Sequence, residues 1–412
     1  MLYFFYYVPL GLDVRYRRMP WMTSLLMLAI VGVSVAQRFA PHWLGVHETN
    51  FLYVPAAPRA SALFLNAYLH AGVLHLVSNL VALWVFGPAL EERLGAWRFV
   101  VLYHVANAAA NLLQGAWSLV LLPETAEFAV LGASGAIAAL MGLALVRLHF
   151  ARVRVGYWAF MPLQAFTRAG AVHLAVPVCV AFWFLIQVGI LVIQSQGGGA
   201  QIAVGSHLGG LVFGTGIAWL AGLRTAGCDE ALIHHGRRYA GAGEWFAAQG
   251  QFASYVQQRP HDPEGHLELA RALRVTHRDA EAETHYRHAC ARLARAGRWD
   301  QVDEVFRESK RGNPEFVLEA GMQLHLAQLY ERMLQPARAE QAYLRFARHY
   351  ASHDASALAL FRASRLARRR GARSTARELL ARILVDHSRT HESDLAHAEL
   401  ARLAVDDGAL AA

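Results

Sequence analysis

The chain has 412 residues, enough for two domains, and 55% of them are hydrophobic against only 17% charged. That balance is too apolar for an ordinary soluble protein. The net charge of +8 does not point to nucleic acid, because the basic residues are spread through helical-looking segments and many in the second half are offset by acids.

The apolar character is unevenly placed. Before about residue 228 long apolar runs follow one another, and after it Arg, Glu, Asp and His recur every few residues among periodic apolar ones. The stretch "GLRTAGCDE" at 222 to 230 is the expected boundary, giving domains of 1–228 and 229–412. Lys310 is the single lysine among the 39 basic residues. Cys179, Cys228 and Cys290 lie far apart, without disulfide or zinc-ligand spacing.

The start, "MLYFFYYVPL", is apolar but short, with no basic leader and no small-residue cleavage site. The first span is therefore expected to act as an uncleaved signal. A helix needs about 20 mainly apolar residues to cross a bilayer. Six segments qualify: 21 to 40, 68 to 90, 98 to 121, 129 to 148, 172 to 193 and 202 to 221. An even number puts both termini on one side. Arg15, Arg17 and Arg18, then Arg93 and Arg98, then Arg147, Arg152, Arg154 and Arg168, then Arg224 mark alternate connections. The other connections hold only Arg59 and the borderline Arg38. The positive-inside rule then places both termini, and the polar second half, in the cytoplasm of a cell, with a bacterial inner membrane the expected site.

In the second span, "HAGVLHLVSNL" sets His75 and Asn79 four residues apart on one helical face. His104, Asn107 and Asn111 on the third span are read as packing residues between helices. In the fourth, "VLGASGAIAALMG" places Ser134 between Gly132 and Gly135, about five residues in from the outer side. His207, in "VGSHLGGLVFG", lies about five residues into the sixth. At a helical rise of about 1.5 Å per residue both sit roughly 7 Å below the outer boundary, where they can meet. His75 and Asn79 enter from the same side.

Between Glu127 and Asp229 there is no acidic residue. That removes an intramembrane aspartyl protease, and no H-E-x-x-H occurs, since "HETNF" and "HESDL" lack the second His. The hydrolase elbow G-x-S-x-G fails at Ala136. A serine with a histidine base and no carboxylate remains. An imidazole near neutral pH can take a serine proton, and a tetrahedral oxyanion then needs donors, for which Asn79, His75 and the Ser134 N–H are candidates.

These residues resemble the rhomboid family of intramembrane serine proteases. The likeness runs over most of residues 15 to 222: "HAGVLHLVSNLVALWVFGPALEERLG" resembles the family's second span, "GASGAIAALMG" its G-x-S-G, and "SHLGGLVFG" its sixth span with G-x-x-x-G. The resemblance implies Ser134 as nucleophile, His207 as general base, and His75, Asn79 and Ser134 as oxyanion-binding residues. It implies cleavage of transmembrane segments of other proteins near the outer face through an acyl-enzyme, without a metal or organic cofactor. Gly132, Gly135, Gly210 and Gly214 would be packing residues near the site, and Glu91 and Arg93 structural ones. Two departures stand out. The usual Trp-Arg pair of the first outer loop is replaced by Ser61 and Ala62, and the Tyr that packs under the histidine in many bacterial members is Ala138. Something else must orient His207.

From Asp229 onward, amphipathic segments such as "HDPEGHLELARALRVTHRD", "QPARAEQAYLRFARHY" and "STARELLARILVDHS" alternate with breaks holding Pro, Gly or His-Asp. Pairs of about 34 to 36 residues resemble degenerate tetratricopeptide repeats, whose stacked solenoids bind peptide or protein surfaces. The expected fold is all-α: a six-helix membrane domain followed by a soluble helical-repeat domain. The expected partners are transmembrane substrates, the lipid bilayer and a cytoplasmic protein, with no nucleic acid. The competing reading is a catalytically silent rhomboid-like scaffold that binds membrane helices and cytoplasmic proteins; an intact Ser134 and His207 argue against it.

Overall fold

The computed structural model describes residues 4–16, 18–40, 51–161, 166–196 and 202–411. Arg17, most of "HETNF" and the glycine run at 197–199 lie outside the described residues. The chain divides into two compact units, 1–234 and 235–412. The division falls inside a helix, six residues beyond the boundary expected from composition.

In the first unit, six long helices follow the expected order: α1 (Trp21–Phe39), α2 (Val73–Leu94), α3 (Ala96–Val120), α4 (Ser134–Arg147), α5 (Val176–Ser195) and α6 (Val204–Leu220). Among the described residues α1, α2 and α5 are long and apolar enough to cross a membrane. A fourth span arises if α6 and the next helix, α7 (Leu223–Gly241), bent by 83° at their break, count as one. The 25 residues of α3 are interrupted by Asn107, Asn111 and Gln114. α4 has only 14 residues. It starts at Ser134 and not near 129, because the preceding chain is held in other pairings: Val130 bridges Tyr53, and the Gly132 N–H donates to the Asn66 carbonyl at 2.8 Å.

Ten consecutive residues of α4, Gly135 to Ala144, are buried. A helix apolar all round belongs in the middle of a bundle, and α4 is the element on which Leu83 and Phe86 of α2, Phe99 and Tyr103 of α3 and Ala218 of α6 form one core. Outward-facing Leu28, Phe182, Leu185, Val212 and Trp219 are exposed to the surroundings, as expected of a surface meeting lipid chains.

Besides the helices, the described residues form one three-stranded antiparallel sheet, β1 (Phe4–Leu12), β2 (Arg152–Met161) and β3 (Phe166–Ala175), in the order β1-β2-β3. The aromatic and β-branched runs "FFYYV" and "VRVGYW" suit a pleated surface. The Asp13 carboxylate accepts from the Arg152 N–H at 2.7 Å, tying the first strand to the second. Residues 172 to 175, expected in the fifth span, are the end of β3.

Two carboxylates hold the end of the bundle opposite Ser134. Glu91, buried on α2, accepts from the N–H groups of Met22 and Thr23 at 3.0 and 2.8 Å and from the Thr23 hydroxyl at 2.7 Å. It thereby satisfies donors that the first turn of α1 leaves unpaired. Glu230 on α7 pairs with Arg93 of α2 and with Arg147 of α4, the latter at 2.8 Å. Burial raises its pKa, but the two guanidiniums more than offset this and hold it below the usual carboxylate range. The structural roles expected of Glu91 and Arg93 correspond to these contacts.

The second unit is helical from α8 to α16: Trp245–Gln258, Pro263–Val275, Asp279–Arg295, Trp299–Gly312, Ala320–Arg332, Pro336–His349, Ser356–Arg369, Arg373–Asp386 and His391–Ala411. Every second helix, starting at 263, 299, 336 and 373, begins 36 or 37 residues after the last, the spacing of a stacked helix-pair repeat. Many turns place a left-handed residue two positions before the next helix: Gly243, His277, Gly297, Leu334 and Gly371. Three are glycines, which adopt that conformation freely. Leu334, with φ 57° and an exposed side chain, is not. Leu334→Gly is expected to stabilise this unit by about 1 kcal/mol, read as a higher unfolding midpoint; an unchanged midpoint contradicts it.

A histidine cluster is expected to make the same unit pH-sensitive. His266 of α9 meets His285 of α10 through their Nδ1 atoms at 2.9 Å, and the His288 ring centroid lies 5.2 Å from that of His266. Burial, then His266 and His288, push His285 down to about 4, with Glu281 opposing. His266 is lowered for the same first reason, then by His288 and Arg292, against the Pro260 carbonyl and Asp262. Folding therefore favours the neutral rings. Their contribution is complete above the ordinary histidine value of 6.5; the His285 part is lost as pH falls from there to about 4, and the His266 part is lost below the same starting value. Thermal unfolding between pH 7 and 4 is expected to show this loss in wild type and a flatter profile in His285→Gln.

Candidate active site

Three helices build the site by their first two turns. Ser134 is the first residue of α4 and His207 the fourth of α6; His75 and Asn79 are the third and seventh of α2. These helices start at the same end of the bundle, so residues far apart in sequence come together. His207 Nε2 lies 2.7 Å from Ser134 Oγ.

Gly132 and Gly135 show why the serine is flanked by glycines. Gly132 has φ +111°, outside the usual range of other residues, and a Cβ there would lie 2.7 and 2.8 Å from Cε1 and Nε2 of His75 and 3.6 Å from Nδ2 of Asn79. The two side chains expected at the oxyanion position thus face the turn that delivers Ser134. A Cβ on Gly135 would lie 2.5 Å from the Ser206 hydroxyl and 2.9 Å from Ala110. On α6, Cβ atoms at Gly210 and Gly214 would fall on the carbonyl oxygens of Gly135 and Ala139, so these glycines let α6 touch the α4 backbone.

The loop before α4 is held by amides. Asn66 Oδ1 accepts from Asn107 Nδ2 at 2.7 Å and Asn111 Nδ2 at 2.9 Å, and Asn66 Nδ2 donates to the Val130 carbonyl at 3.2 Å. His104 Nε2 meets the Tyr68 hydroxyl at 2.8 Å. The polar residues of α3 thus brace the loops over the site and do not enter it.

Two further residues were not singled out from sequence. His70 is buried and bonds through Nε2 to Asn79 Nδ2 at 3.0 Å, while its Nδ1 faces the Ser34 hydroxyl at 3.2 Å. Its position five residues before His75 was the signal. Gln187, in the middle of the apolar α5, places Oε1 2.7 Å from His207 Nδ1. A lone amide inside an apolar span was its signal, because such groups are costly in lipid. The Trp183 ring lies 5.8 Å from that of His207.

A bundle of apolar helices whose first two turns gather serine, histidines and asparagine defines a polytopic helical membrane domain with a polar centre near one end. Residues 58–224 match the family model described as Rhomboid domain, and the chain carries a rhomboid domain at those residues. It is 26% identical over 237 residues to Rhomboid protein 1, mitochondrial, of Saccharomyces cerevisiae, covering 54% of this chain and 58% of that protein. It is 29% identical over 122 residues to Rhomboid-like protease 3 of Toxoplasma gondii, covering 28% and 46%, and 26% identical over 216 residues to Rhomboid protease GlpG of an Enterobacter species, covering 51% and 66%. The chain thus spans about half to two thirds of the length of these relatives. Among solved structures it is similar to a thermophilic TPR protein of Thermus thermophilus, at 16% identity, 43% and 99% coverage and a TM-score of 0.19. A TPR protein with an unusual peptide-binding site matches at 11% identity, 41% and 90% coverage and a TM-score of 0.21.

Proposed function

We propose that the chain is an intramembrane serine endopeptidase. The carrying observation is the 2.7 Å approach of Ser134 Oγ to His207 Nε2 at the shared end of α4 and α6. Ser134 attacks a peptide carbonyl as its proton passes to His207, the oxyanion takes hydrogen bonds from Asn79, His75 and the Ser134 N–H, and His207 then protonates the leaving amine. Water hydrolyses the acyl-enzyme with the histidine acting in reverse. The substrates are transmembrane segments of other proteins, cut near the outer face of the cell membrane. The termini, and with them the helical repeats, lie in the cytoplasm, where the repeats engage a protein partner.

The test compares wild type, Ser134→Ala and His207→Ala for cleavage of a single-span substrate in membranes and for labelling by a serine-directed fluorophosphonate. Labelling and cleavage in wild type, absent from both variants, support the reading. A wild type inert in both assays overturns it in favour of a scaffold.

A further inference from the structure

A neutral imidazole carries one N–H, so a histidine can take a proton from serine only if its other nitrogen holds that hydrogen. In this site His207 Nε2 faces Ser134 and Nδ1 faces Gln187 Oε1, both at 2.7 Å. An amide oxygen only accepts. That geometry calls for the proton on Nδ1, donated to Gln187, which leaves the lone pair of Nε2 for the serine.

The surroundings make this contact matter. Ala138 puts no ring beneath the histidine and instead lies against Gly210, where a Cβ would be 3.3 Å from the Ala138 methyl. Gln187 is one of three buried residues on α5, with Val176 and Val180, while its neighbours Leu185, Ile186 and Val188 are exposed. A buried amide on a largely lipid-facing helix needs a partner, and His207 supplies it.

We propose that Gln187 is a positioning residue that sets the tautomer and ring orientation of His207, filling with a neutral amide the place a carboxylate holds in a Ser-His-Asp triad. The proposal rests on the serine-protease reading above. As the imidazolium forms, the amide oxygen stabilises it without a charge having to be buried beforehand.

The experiment uses the full chain in liposomes, as wild type, Gln187→Leu and Gln187→Glu. It measures kcat and KM against pH on a single-span substrate, and the nitrogen shifts of 15N-labelled histidine. Gln187→Leu is expected to lower kcat about 100-fold with KM little changed, the scale of a misplaced catalytic group. Gln187→Glu keeps the acceptor and favours the imidazolium, so it is expected to retain most activity and to move the acid limb of the pH profile upward. In wild type the His207 proton is expected on Nδ1, and that preference is lost in Gln187→Leu. Wild-type kcat and pH profile in folded Gln187→Leu, or a resting proton on Nε2 in wild type, overturns the proposal. If wild type neither cleaves nor reacts with fluorophosphonate, the protease reading fails, and the histidine spectra still decide for or against Gln187.

Discussion

Ser134→Ala and His207→Ala are each expected to reduce cleavage by roughly 10⁴-fold or more, and the double variant to be no slower than either single one. The equality follows from their contact: a hydroxyl without its base is a poor nucleophile, and a base without the hydroxyl has nothing to activate. Asn79→Ala is expected to cost less, about 100- to 1000-fold, as the loss of one oxyanion donor does. Asn79 also bonds to His70, so part of that loss arises from a displaced His70 ring. Equal rates for wild type and Ser134→Ala would contradict the assignment at once.

The second large effect is expected from Gly214→Leu. A first carbon at Gly214 already coincides with the carbonyl oxygen of Ala139, and backbone cannot give way as the tip of a flexible side chain can. The two helices have to part. A destabilisation of about 3 kcal/mol, at the upper end for overpacking, is expected in the thermal unfolding of the detergent-solubilised chain. Because α4 carries Ser134 and α6 carries His207, cleavage should fall in folded protein too. Gly216→Leu is the control: a Cβ there meets nothing within 4 Å, and both readouts should stay near wild type.

The order of the helices was legible because each apolar run of the sequence holds one, although only α1, α2 and α5, or four spans with the bent pair, are by themselves long and apolar enough to cross a membrane among the described residues. That Ser134, His207, His75 and Asn79 lie near one another was legible because polar groups in such runs are rare enough to compare by depth. The sheet was not: "FFYYV" and "GYWAFM" are apolar without a helical face, and pairing between residues 4 and 160 leaves no local trace. For a similar reason α4 begins later than its apolar run suggests, since Val130 is held by Tyr53 and Asn66 from elsewhere in the chain. Gln187 had only its place amid the apolar residues of α5 as a signal, and its meaning comes from the ring opposite. In the second unit the repeat period was visible, while the left-handed turns at His277 and Leu334 were hidden behind residues that ordinarily avoid them.

The shortness of α4 bears on the supply of the second reactant. Fourteen residues rise about 21 Å, against a hydrocarbon core of about 30 Å. With the C-terminal end of α4 anchored through Arg147 to Glu230, the shortfall of about 9 Å falls at its Ser134 end, where loops braced by asparagines replace helix. In the proposed hydrolysis one water is consumed per bond cut, and it would have only that distance to travel from the aqueous phase to Ser134. On the protease reading, the bilayer would not have to be breached to bring water to the serine.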